Sequence, residues 1–449
     1  MNIIKNTPNS KAPFKSIHFL NKKLSGYLTP FLEKLESHLD HRLVKTFSSL
    51  VVAILAYRNR MNGLLLSELG AYITNGFQPE AGTKRISNLL RSKNWEASLI
   101  KDFIFEQACQ RAESLAKELR LCLIHWDDSK IEKSESWKIE GLCSVHSSKG
   151  QRLTKIKPGY YAPPQKRICV PGFKWSAMIL SSLREHPSVV QMEMWTTKGK
   201  FKEHGCNLLW RGLKAIQERL GSLVVHVMDR GYACEQTLTY LFRFDQNFII
   251  RWKKNVYLSY AEQLKKVYQI SIGLKNKSSK FVLDKERKCL KRVMITWTKV
   301  AHPEFPDKEL TLVVIRDKKR PSPMYLLTSL KVDSKQQAWN VFHSYMNRWK
   351  IEEAFRFNKS EMGVESIRLW FWDNREKLMA IVMLCYDFLL TLLQKWEMWV
   401  RMFIQTWCHR TGNRCRNVST PIYRLRLALS NLLIRWLHYC EMASFVNMG

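Results

Sequence analysis

The sequence predicts an α/β protein whose mixed core lies between helical N- and C-terminal regions. Three observations favour this fold class. Residues 1–115 have apolar side chains at helical spacing, residues 121–250 alternate short apolar strands with helices, and residues 376–449 return to a helical pattern rich in Trp, Leu and Arg. Alternating strands and helices are typical of a sheet that is covered by helices.

The composition favours a folded protein that binds a polyanion. Of the 449 residues, 45% are hydrophobic and 12% are aromatic, which is typical of a globular protein. Lys and Arg outnumber Asp and Glu by 73 to 39, so the formal net charge is +34. The excess is spread along the chain, which indicates extended contact with a polyanion. Nucleic acid is the first candidate and an anionic membrane surface is the second.

Membrane insertion and disulfide bonding are both disfavoured. The most apolar stretch, LMAIVMLCYDFLLTLL (378–393), is shorter than the ~20 residues that span a bilayer and contains Asp387, so we expect a buried helix. The N-terminal residues lack the apolar run of a signal peptide. The eleven cysteines include no CxxC pair, and Cys408, His409 and Cys415 have no fourth zinc ligand nearby. We therefore expect reduced cysteines, in a protein of the cytoplasm.

The N-terminal region contains a small basic helical module. After the break at NGFQPEAG, the stretch TKRISNLLRSKNW places Ile86, Leu89 and Leu90 on one apolar face. The cations around this face are Lys84, Arg85, Arg91 and Lys93. Such a module often binds DNA, although an ordinary amphipathic helix has the same pattern. We interpret residues 1–115 as a helical DNA-binding domain.

Two aspartates each follow a predicted strand. Asp127 comes directly after LCLIHW, with Asp128 beside it in the sequence DDS, and Asp229 follows LVVHVM. Because neighbouring strands end at one edge of an open α/β sheet, we expect these carboxylates to converge there. Two aspartates and a glutamate can hold two divalent cations ~3.5–4 Å apart for displacement at phosphorus, and Mg²⁺ prefers such oxygen ligands. Strand-end aspartates also form turns and cap helices, so neither aspartate decides the function alone.

A basic segment of predicted strands follows. Short β-rich runs, among them YQISIGL, KFVLD, KRVMITWTKV and ELTLVVIRD, are separated by polar turns. Residues 251–320 contain 19 Lys and Arg against 7 Asp and Glu, a net charge of +12. We interpret residues 251–322 as a β-rich basic insertion domain that separates two parts of the catalytic core, residues 116–250 and residues 323–375.

The stretch YMNRWKIEEAFRFNK (345–359) supplies the third carboxylate. On a single helix at ~100° per residue, Tyr345, Arg348, Glu352 and Lys359 fall within an arc of ~60°, whereas Glu353 points ~100° away from Glu352. Salt bridges between residues four apart would give the same pattern of charges. The stretch therefore predicts a helix that presents one carboxylate together with a phenol, a guanidinium and an ammonium group.

These motifs resemble those of bacterial insertion-sequence transposases of the DDE superfamily, in the group called the IS-four family. The spacing Y-(2)-R-(3)-E-(6)-K matches the signature of that group without a gap. DDS (127–129) resembles its D-x-(S/T) first motif, and DRGY (229–232) resembles its D-(1)-G-(2)-F second motif with the aromatic residue ahead of its place. FIIRWKKN (248–255) and YLLTSL (325–330) resemble the strands after the second aspartate and before the final helix. The resemblance covers about residues 80–395.

The resemblance implies an RNase H-like catalytic core that is interrupted by the β-rich insertion. It implies that Asp127, Asp229 and Glu352 are the catalytic residues and the ligands of Mg²⁺, for which Mn²⁺ can substitute, and Asp128 remains the alternative to Asp127. The residues that it implies as DNA contacts are Tyr345, Arg348, Lys359, Trp349, Arg230 and Arg251. Relatives often carry a tryptophan where this chain has Met324, so a DNA hairpin intermediate is left open.

The function implied is that of a cut-and-paste DNA transposase, which binds the terminal inverted repeats of its element, cuts the DNA and joins the ends to a target. Double-stranded DNA would be the partner, in a synaptic complex with a homodimer that residues 376–449 could help to form. No membrane is involved, and the protein would work at the nucleoid in the bacterial cytoplasm. The alternatives are a structure-specific DNA nuclease on the same fold and a domesticated DNA-binding protein that no longer cuts.

Overall fold

A computed structural model describes most of the chain as helices around one large sheet. The described residues are 11–136, 138–147, 161–162, 167–183, 185–284, 289–317, 322–408 and 421–446. The helices are α1 (Lys11–Glu36), α2 (His41–Ala56), α3 (Leu66–Ile73), α4 (Pro79–Arg91), α5 (Ala97–Lys117), α6 (Gly205–Leu220), α7 (Glu235–Arg243), α8 (Val267–Ile272), α9 (Lys335–Met346), α10 (Trp349–Ser360), α11 (Trp372–Lys395), α12 (Glu397–Trp407) and α13 (Ile422–Val446).

The strands belong mainly to the middle of the chain. They are β1 (Leu123–Glu132), β2 (Cys143–His146), β3 (Tyr161–Ala162), β4 (Arg167–Ser181), β5 (Ser188–Trp195), β6 (Val225–Met228), β7 (Asn247–Arg251), β8 (Tyr257–Tyr260), β9 (Gln263–Lys266), β10 (Ser278–Asp284), β11 (Cys289–His302), β12 (Phe305–Asp317) and β13 (Met324–Thr328). The predicted mixed α/β class is therefore confirmed, with helices before and after the strands.

Strand order places a parallel ribbon at the centre of the sheet. The path is β2-β4-β1-β6-β7-β13-β12-β11-β8-β9, with β3 and β5 also on β4 and β10 on β11. β4 and β5 run antiparallel, as do β1 and β4, whereas β1, β6 and β7 are parallel neighbours. β6 and β7 are short and apolar, as expected of strands that are covered on both faces.

The strands of the predicted insertion continue the central sheet. β13 pairs with β7 and with β12, and β12 pairs with β11, so backbone hydrogen bonds run from the parallel ribbon into residues 251–322. Apolar residues of β8, β11 and β12 lie in the same two clusters as those of the ribbon. Within the described residues, the segment is thus an extension of the core sheet and has no core of its own.

One predicted strand of this segment is wrong. The run YQISIGL was expected to be one of several short strands, but Val267–Ile272 form the short helix α8. Val267, Ile270 and Ser271 are buried, at the spacing of one helical face, and the side chain of Gln269 accepts a hydrogen bond from the backbone N–H of Lys266. Packing of this face outweighs the weak preference of β-branched residues for strands.

The N- and C-terminal helices pack into one body. α2, α3 and α4 share a hydrophobic cluster with α11, α12 and α13, so the two terminal regions bury one another. Arg426 of α13 is buried and donates to the backbone carbonyls of Ile54, Leu55 and Tyr57, which caps the end of α2. Among the described residues, no helix is long and apolar enough to cross a bilayer. Nine described cysteines are free thiols.

α11 contains the apolar stretch that was expected to be a buried helix, and it is buried over most of its length. Asp387 on this helix accepts hydrogen bonds from the Tyr27 hydroxyl at 2.8 Å and from the Val189 backbone N–H at 3.3 Å. The aspartate therefore ties the N-terminal helix and a strand to α11. Burial raises the pKa of Asp387 from its ordinary 3.8 to about 6.

The raised pKa predicts a pH-dependent stability cost. An acid whose pKa rises on folding costs nothing below its unfolded value and most above its folded value, here between about pH 4 and pH 6. We expect the free energy of unfolding of the wild type, relative to Asp387→Asn, to fall by about 3 kcal/mol across that window. Urea titrations at several pH values measure it. The exposed Asp373 on the same helix is the control, and an equal slope for Asp373→Asn would contradict the assignment.

Candidate active site

Three parallel strands lie side by side and carry polar side chains at one level of the sheet. The prediction that Asp127 follows a strand is wrong, because β1 runs on to Glu132 through its pairing with β4 and Asp127 lies within it. Trp126 pairs with Met228 in the register of β1 and β6, and Met228 pairs with Ile250 of β7. The next residue of each strand is therefore Asp127, Asp229 and Arg251. The order and direction of these strands bring the two predicted aspartates together at the expected edge of the sheet.

The third motif is divided between two helices. α9 ends at Met346 and α10 begins at Trp349, so Tyr345 lies on α9 and Glu352 on α10. The prediction of one continuous helix is wrong at this point. Asn347 donates hydrogen bonds to the Ser181 hydroxyl and to the Ser182 carbonyl, both at 3.0 Å, and these tertiary contacts hold the junction against the end of β4.

Arg348, at the helix junction, bridges two of the predicted acids. Its guanidinium lies 2.7 Å from an Asp127 carboxylate oxygen and 2.5 Å from a Glu352 carboxylate oxygen. The side chains of Arg348 and Asp127 are 14% and 18% exposed, so this pair is largely shielded from water, while that of Glu352 is 30% exposed. The bridge fixes the distance between the two carboxylates through one shared cation.

The electrostatics of the site follow from this crowding of charge. Burial raises the pKa of Asp127 to about 6, Arg348 opposes the shift, and the negative charges of Asp229 and Glu352 add to it. Burial disfavours the charge on Arg348, yet Asp127, Tyr345 and Glu352 outweigh that effect and raise the pKa of the guanidinium. A cation therefore stabilises the negative charges of this cluster, and in this arrangement the cation is the Arg348 guanidinium.

The donor set fits a hard divalent cation by its chemistry. Asp127, Asp229 and Glu352 offer carboxylate oxygens, which Mg²⁺ and Mn²⁺ prefer. Among the residues that the structure describes, no three His, Cys, Asp or Glu side chains lie close enough to form a ready-made metal site. Because Arg348 lies between two of the acids, a metal ion bound there would compete with its guanidinium.

The two aspartates of DDS point to opposite faces of β1, because side chains alternate along a strand. Asp127 contacts Arg348, and Ser129, two residues further along, accepts a hydrogen bond from the Lys359 ammonium at 2.8 Å. Asp128 contacts the Ser176 hydroxyl of β4 instead. The face with Asp127 and Ser129 is therefore the one that meets α10.

The remaining predicted DNA contacts divide into two groups. Tyr345 is mostly buried and hydrogen-bonds to Arg251, and burial raises its pKa although Arg348 and Arg251 oppose the shift. Arg230 is exposed in the turn after Asp229. Trp349 is 40% exposed, and the Arg356 guanidinium lies 5.6 Å from the centre of its ring. Trp349 is thus a surface residue rather than part of the core.

Met324 stands where the resemblance implies a tryptophan, and its aromatic neighbour Tyr325 is buried. Met324 begins β13 and is only partly buried, whereas the aromatic beside it, Tyr325, is 5% exposed and packs in the core with its hydroxyl 3.3 Å from Ser271. Tyr325 therefore does not replace the tryptophan that relatives have near this place. On α10, the helix that carries Glu352, the exposed aromatic side chain is that of Trp349.

The N-terminal region supports the helix that carries Glu352. Glu361, at the end of α10, is 3% exposed and accepts hydrogen bonds from Arg58, at 2.6 Å in the shorter contact, and from Arg60. The backbone N–H of Leu64 donates to the Ser366 hydroxyl at 3.1 Å. The segment after α2 therefore fixes the far end of α10 while Arg348 fixes its beginning.

Sequence reasoning missed the polar residues that hold the acids in place. The hydroxyls of Ser176 and Tyr232 donate hydrogen bonds to Asp128. The Ser129 hydroxyl accepts one from Lys359, and Asn347 holds the junction between α9 and α10 against β4. For Tyr232 and Ser129 a signal existed, because both belong to the motifs DRGY and DDS. Ser176 and Asn347 carry no such signal, since their partners lie far away in the sequence.

Comparison with known proteins agrees with the acidic motifs. Residues 200–388 match the family model described as the transposase DDE domain, a range that includes Asp229 and Glu352 and begins after Asp127. A cryo-EM structure of the piggyBac transposase synaptic complex with hairpin DNA is similar at 12% identity and a TM-score of 0.42, over 89% of this chain and 73% of that chain. No curated protein matches the sequence.

Proposed function

We propose that this DDE transposase is a cut-and-paste enzyme of the IS-four group, which excises an insertion sequence and joins it to target DNA. The observation that carries the proposal is the bridge of Arg348 between Asp127 and Glu352, with Asp229 near enough for its charge to act on Asp127. The antiparallel β5, β4 and β1, followed by the parallel β6 and β7, support an RNase H-like core for these acids. Residues 116–250 and 323–375 would be its two parts.

Each acid has a role in the proposed mechanism. Divalent metal ions, which DDE transposases generally use, would be Mg²⁺ here, and would activate the attacking oxygen and stabilise the leaving oxygen. Asp127, Asp229 and Glu352 would hold them. Asp127 would have to give up its ion pair with Arg348 to serve as a ligand, because its carboxylate is shared with that guanidinium. Arg348 would then be available to contact a phosphate of the DNA end.

The neighbouring cations and aromatic residues would hold the cut DNA end. Arg251 lies next to Asp229 in the sheet register, and Lys359 lies on α10 beyond Glu352. Arg230, which follows Asp229, and Trp349, which lies three residues before Glu352, are both exposed. Ammonium and guanidinium groups suit phosphate oxygens, and an exposed indole suits the face of a base.

The N-terminal helices supply a second surface for DNA. α3 and α4 pack closely because Gly70 meets Gly82, where an added Cβ on Gly82 would lie 2.1 Å from the Gly70 carbonyl oxygen. The exposed face of α4 carries Lys84, Arg85 and Asn88. None of the cations on α4 forms an ion pair with another described residue. We propose that this face contacts the terminal repeats, with residues 1–115 as the DNA-binding region.

Removing one cation from α4 should weaken DNA binding by charge alone. We expect Arg85→Ala to reduce affinity for a duplex of the DNA that flanks this gene by about tenfold, and to reduce the log–log salt slope by about 0.9. Electrophoretic mobility shifts at several salt concentrations measure both. Lys117→Ala, which removes an exposed cation at the end of α5, is the control. An unchanged salt slope for Arg85→Ala would mean that the exposed face of α4 does not contact the DNA.

The synaptic complex would contain two copies of the protein and both element ends. The C-terminal region, residues 376–449, is the proposed site of contact between copies, although it also buries the N-terminal helices of its own chain. The predicted insertion, residues 251–322, with its net charge of +12 over residues 251–320, would follow the DNA backbone. We place this activity at the nucleoid, in the bacterial cytoplasm.

Joining of pre-cut ends tests the proposed function. Wild-type protein, Mg²⁺, a target plasmid and pre-cut duplexes from the flanks of the gene should give strand-transfer products on a gel. EDTA in excess should abolish joining, and Mn²⁺ should restore it. Efficient nicking of uncut DNA without joining would support a structure-specific nuclease. Binding without any cutting in Mg²⁺ or Mn²⁺ would support a domesticated DNA-binding protein.

A further inference from the structure

We propose that Asp128 is a positioning residue, which anchors the turn that carries Asp229 and does not bind the metal. The inference rests on the proposed function, because it assigns a task to the second aspartate of DDS within that site. Sequence alone leaves Asp127 and Asp128 as alternatives. The contacts of Asp128 separate their roles.

The carboxylate of Asp128 has two hydroxyl partners. Ser176, which is its register partner on β4, donates a hydrogen bond to it, and so does Tyr232. The indole N–H of Trp195 donates to the Ser176 oxygen at 2.8 Å, which leaves the serine proton for the aspartate. The chain Trp195, Ser176, Asp128 and Tyr232 thus runs from β5 across β4 and β1 to the next acidic motif.

Tyr232 connects this chain to Asp229. The residues Arg230–Tyr232 form a single 3₁₀ turn, and the carboxylate of Asp229 caps it by accepting a hydrogen bond from the Gly231 backbone N–H. Asp229 and Tyr232 are therefore the two ends of one turn. The tyrosine ring also meets the Trp126 ring edge-on, with centroids 6.5 Å apart. Holding the hydroxyl of Tyr232 fixes the turn from which Asp229 points.

The chemistry of the partners distinguishes the two aspartates. Asp127 is bound by the cation Arg348, which a metal ion can replace by charge. Asp128 points to the opposite face of β1, away from Arg348 and Glu352, where the hydroxyls of Ser176 and Tyr232 hold its carboxylate. Burial and the nearby acids raise the pKa of Tyr232, so its hydroxyl remains a donor at neutral pH. Partners of this kind orient a neighbouring ligand and typically change metal affinity by about 10–100-fold when removed.

The contact with Asp128 explains why the aromatic residue of DRGY, Tyr232, stands earlier than in the motif. In the motif that it resembles, the aromatic residue stands two places later, and the sequence gives no account of the difference. At position 232 the ring lies on Trp126 and its hydroxyl reaches Asp128. A tyrosine here needs an acceptor on β1, and DDS supplies one immediately after the residue that faces Arg348.

Substitutions that keep or remove the hydrogen bonds test the proposal. The full-length protein without DNA is titrated with Mn²⁺, followed by electron paramagnetic resonance, and cleavage of the flanking DNA is measured in parallel. Asp127→Asn should weaken Mn²⁺ binding by about 100-fold or more, whereas Asp128→Asn, which keeps the shape of the side chain and one acceptor oxygen, should change it by no more than about threefold. Asp128→Ala and Tyr232→Phe should each cost about tenfold in cleavage.

The double variant decides whether the two residues act through one bond. Asp128→Ala with Tyr232→Phe should be no worse than the more damaging single change, because both remove the same contact. The proposal is overturned if Asp128→Asn loses Mn²⁺ as strongly as Asp127→Asn, if the two losses multiply, or if neither single change has an effect. Unfolding temperatures of all variants control for folding, and should Asp128→Ala fail to fold, the Asn and Phe variants decide. Insensitivity of Asp127→Asn would instead count against the proposed function.

Discussion

Glu352→Gln is expected to reduce DNA cleavage by about 10³-fold or more, while Glu353→Gln retains most of it. The carboxylate of Glu352 faces Arg348 and Asp127, so the neutral amide removes a charge from the place where a metal would bind. The charge of Glu353 acts instead on Tyr386 and Tyr423, on the side of α10 that meets α11 and α13. The same chemical change at adjacent positions should therefore have different results.

Nicking of a plasmid that carries the element ends measures this difference, with thermal unfolding of each variant as the folding control. The adjacent glutamate is a close match in size, charge and helix position. An equal loss in both variants, with unfolding temperatures unchanged, would show that the acidic face of α10 is assigned to the wrong residue. Full activity of Glu352→Gln would remove this residue from the catalytic set.

Arg348→Gln is expected to have two opposite effects. Mn²⁺ binding to the DNA-free protein should tighten by about tenfold, because a positive charge leaves the space between Asp127 and Glu352. Joining of pre-cut ends should fall by about 10²-fold, because the guanidinium is lost as a phosphate contact. A residue that merely stabilised the fold would weaken both. Tighter Mn²⁺ binding together with weaker joining would show that Arg348 pairs with the acids in the DNA-free protein and contacts a phosphate when DNA is bound.

A second Arg–Glu pair four residues apart provides the control for this experiment. Arg401 and Glu397 form it on α12 at 2.6 Å, where both side chains are at least half exposed. Arg401→Gln should leave Mn²⁺ binding and joining unchanged. Metal titration followed by electron paramagnetic resonance and a gel assay of joining give the two readouts. Weaker Mn²⁺ binding in Arg348→Gln would mean that the arginine organises the acids and does not compete for them.

The amino-acid sequence determined the class of fold and the chemistry of the candidate site. Periodicity placed helices at both ends and strands between them, and it identified α11 as a buried helix, because local spacing of apolar residues reflects which face is covered. It also suggested Asp127, Asp229 and Glu352 as candidate acids, from the apolar runs before the two aspartates and the pattern of charges around the glutamate, and their catalytic role stays a prediction. The match of residues 200–388 to a transposase DDE domain agrees with that interpretation.

Only the tertiary structure decided how these parts meet. The helix breaks between Tyr345 and Glu352 because Asn347 bonds to β4, and α8 is helical because one face of it is buried against the sheet. The terminal regions share one core, although each is helical on its own pattern. Whether Asp127 or Asp128 meets Arg348 depends on which face of β1 is covered by α10. Except at α8, where Ser271 meets Tyr325 at 54 residues' separation, partners that lie more than a hundred residues apart settle these points. Contacts at such distances leave no periodic trace in the sequence.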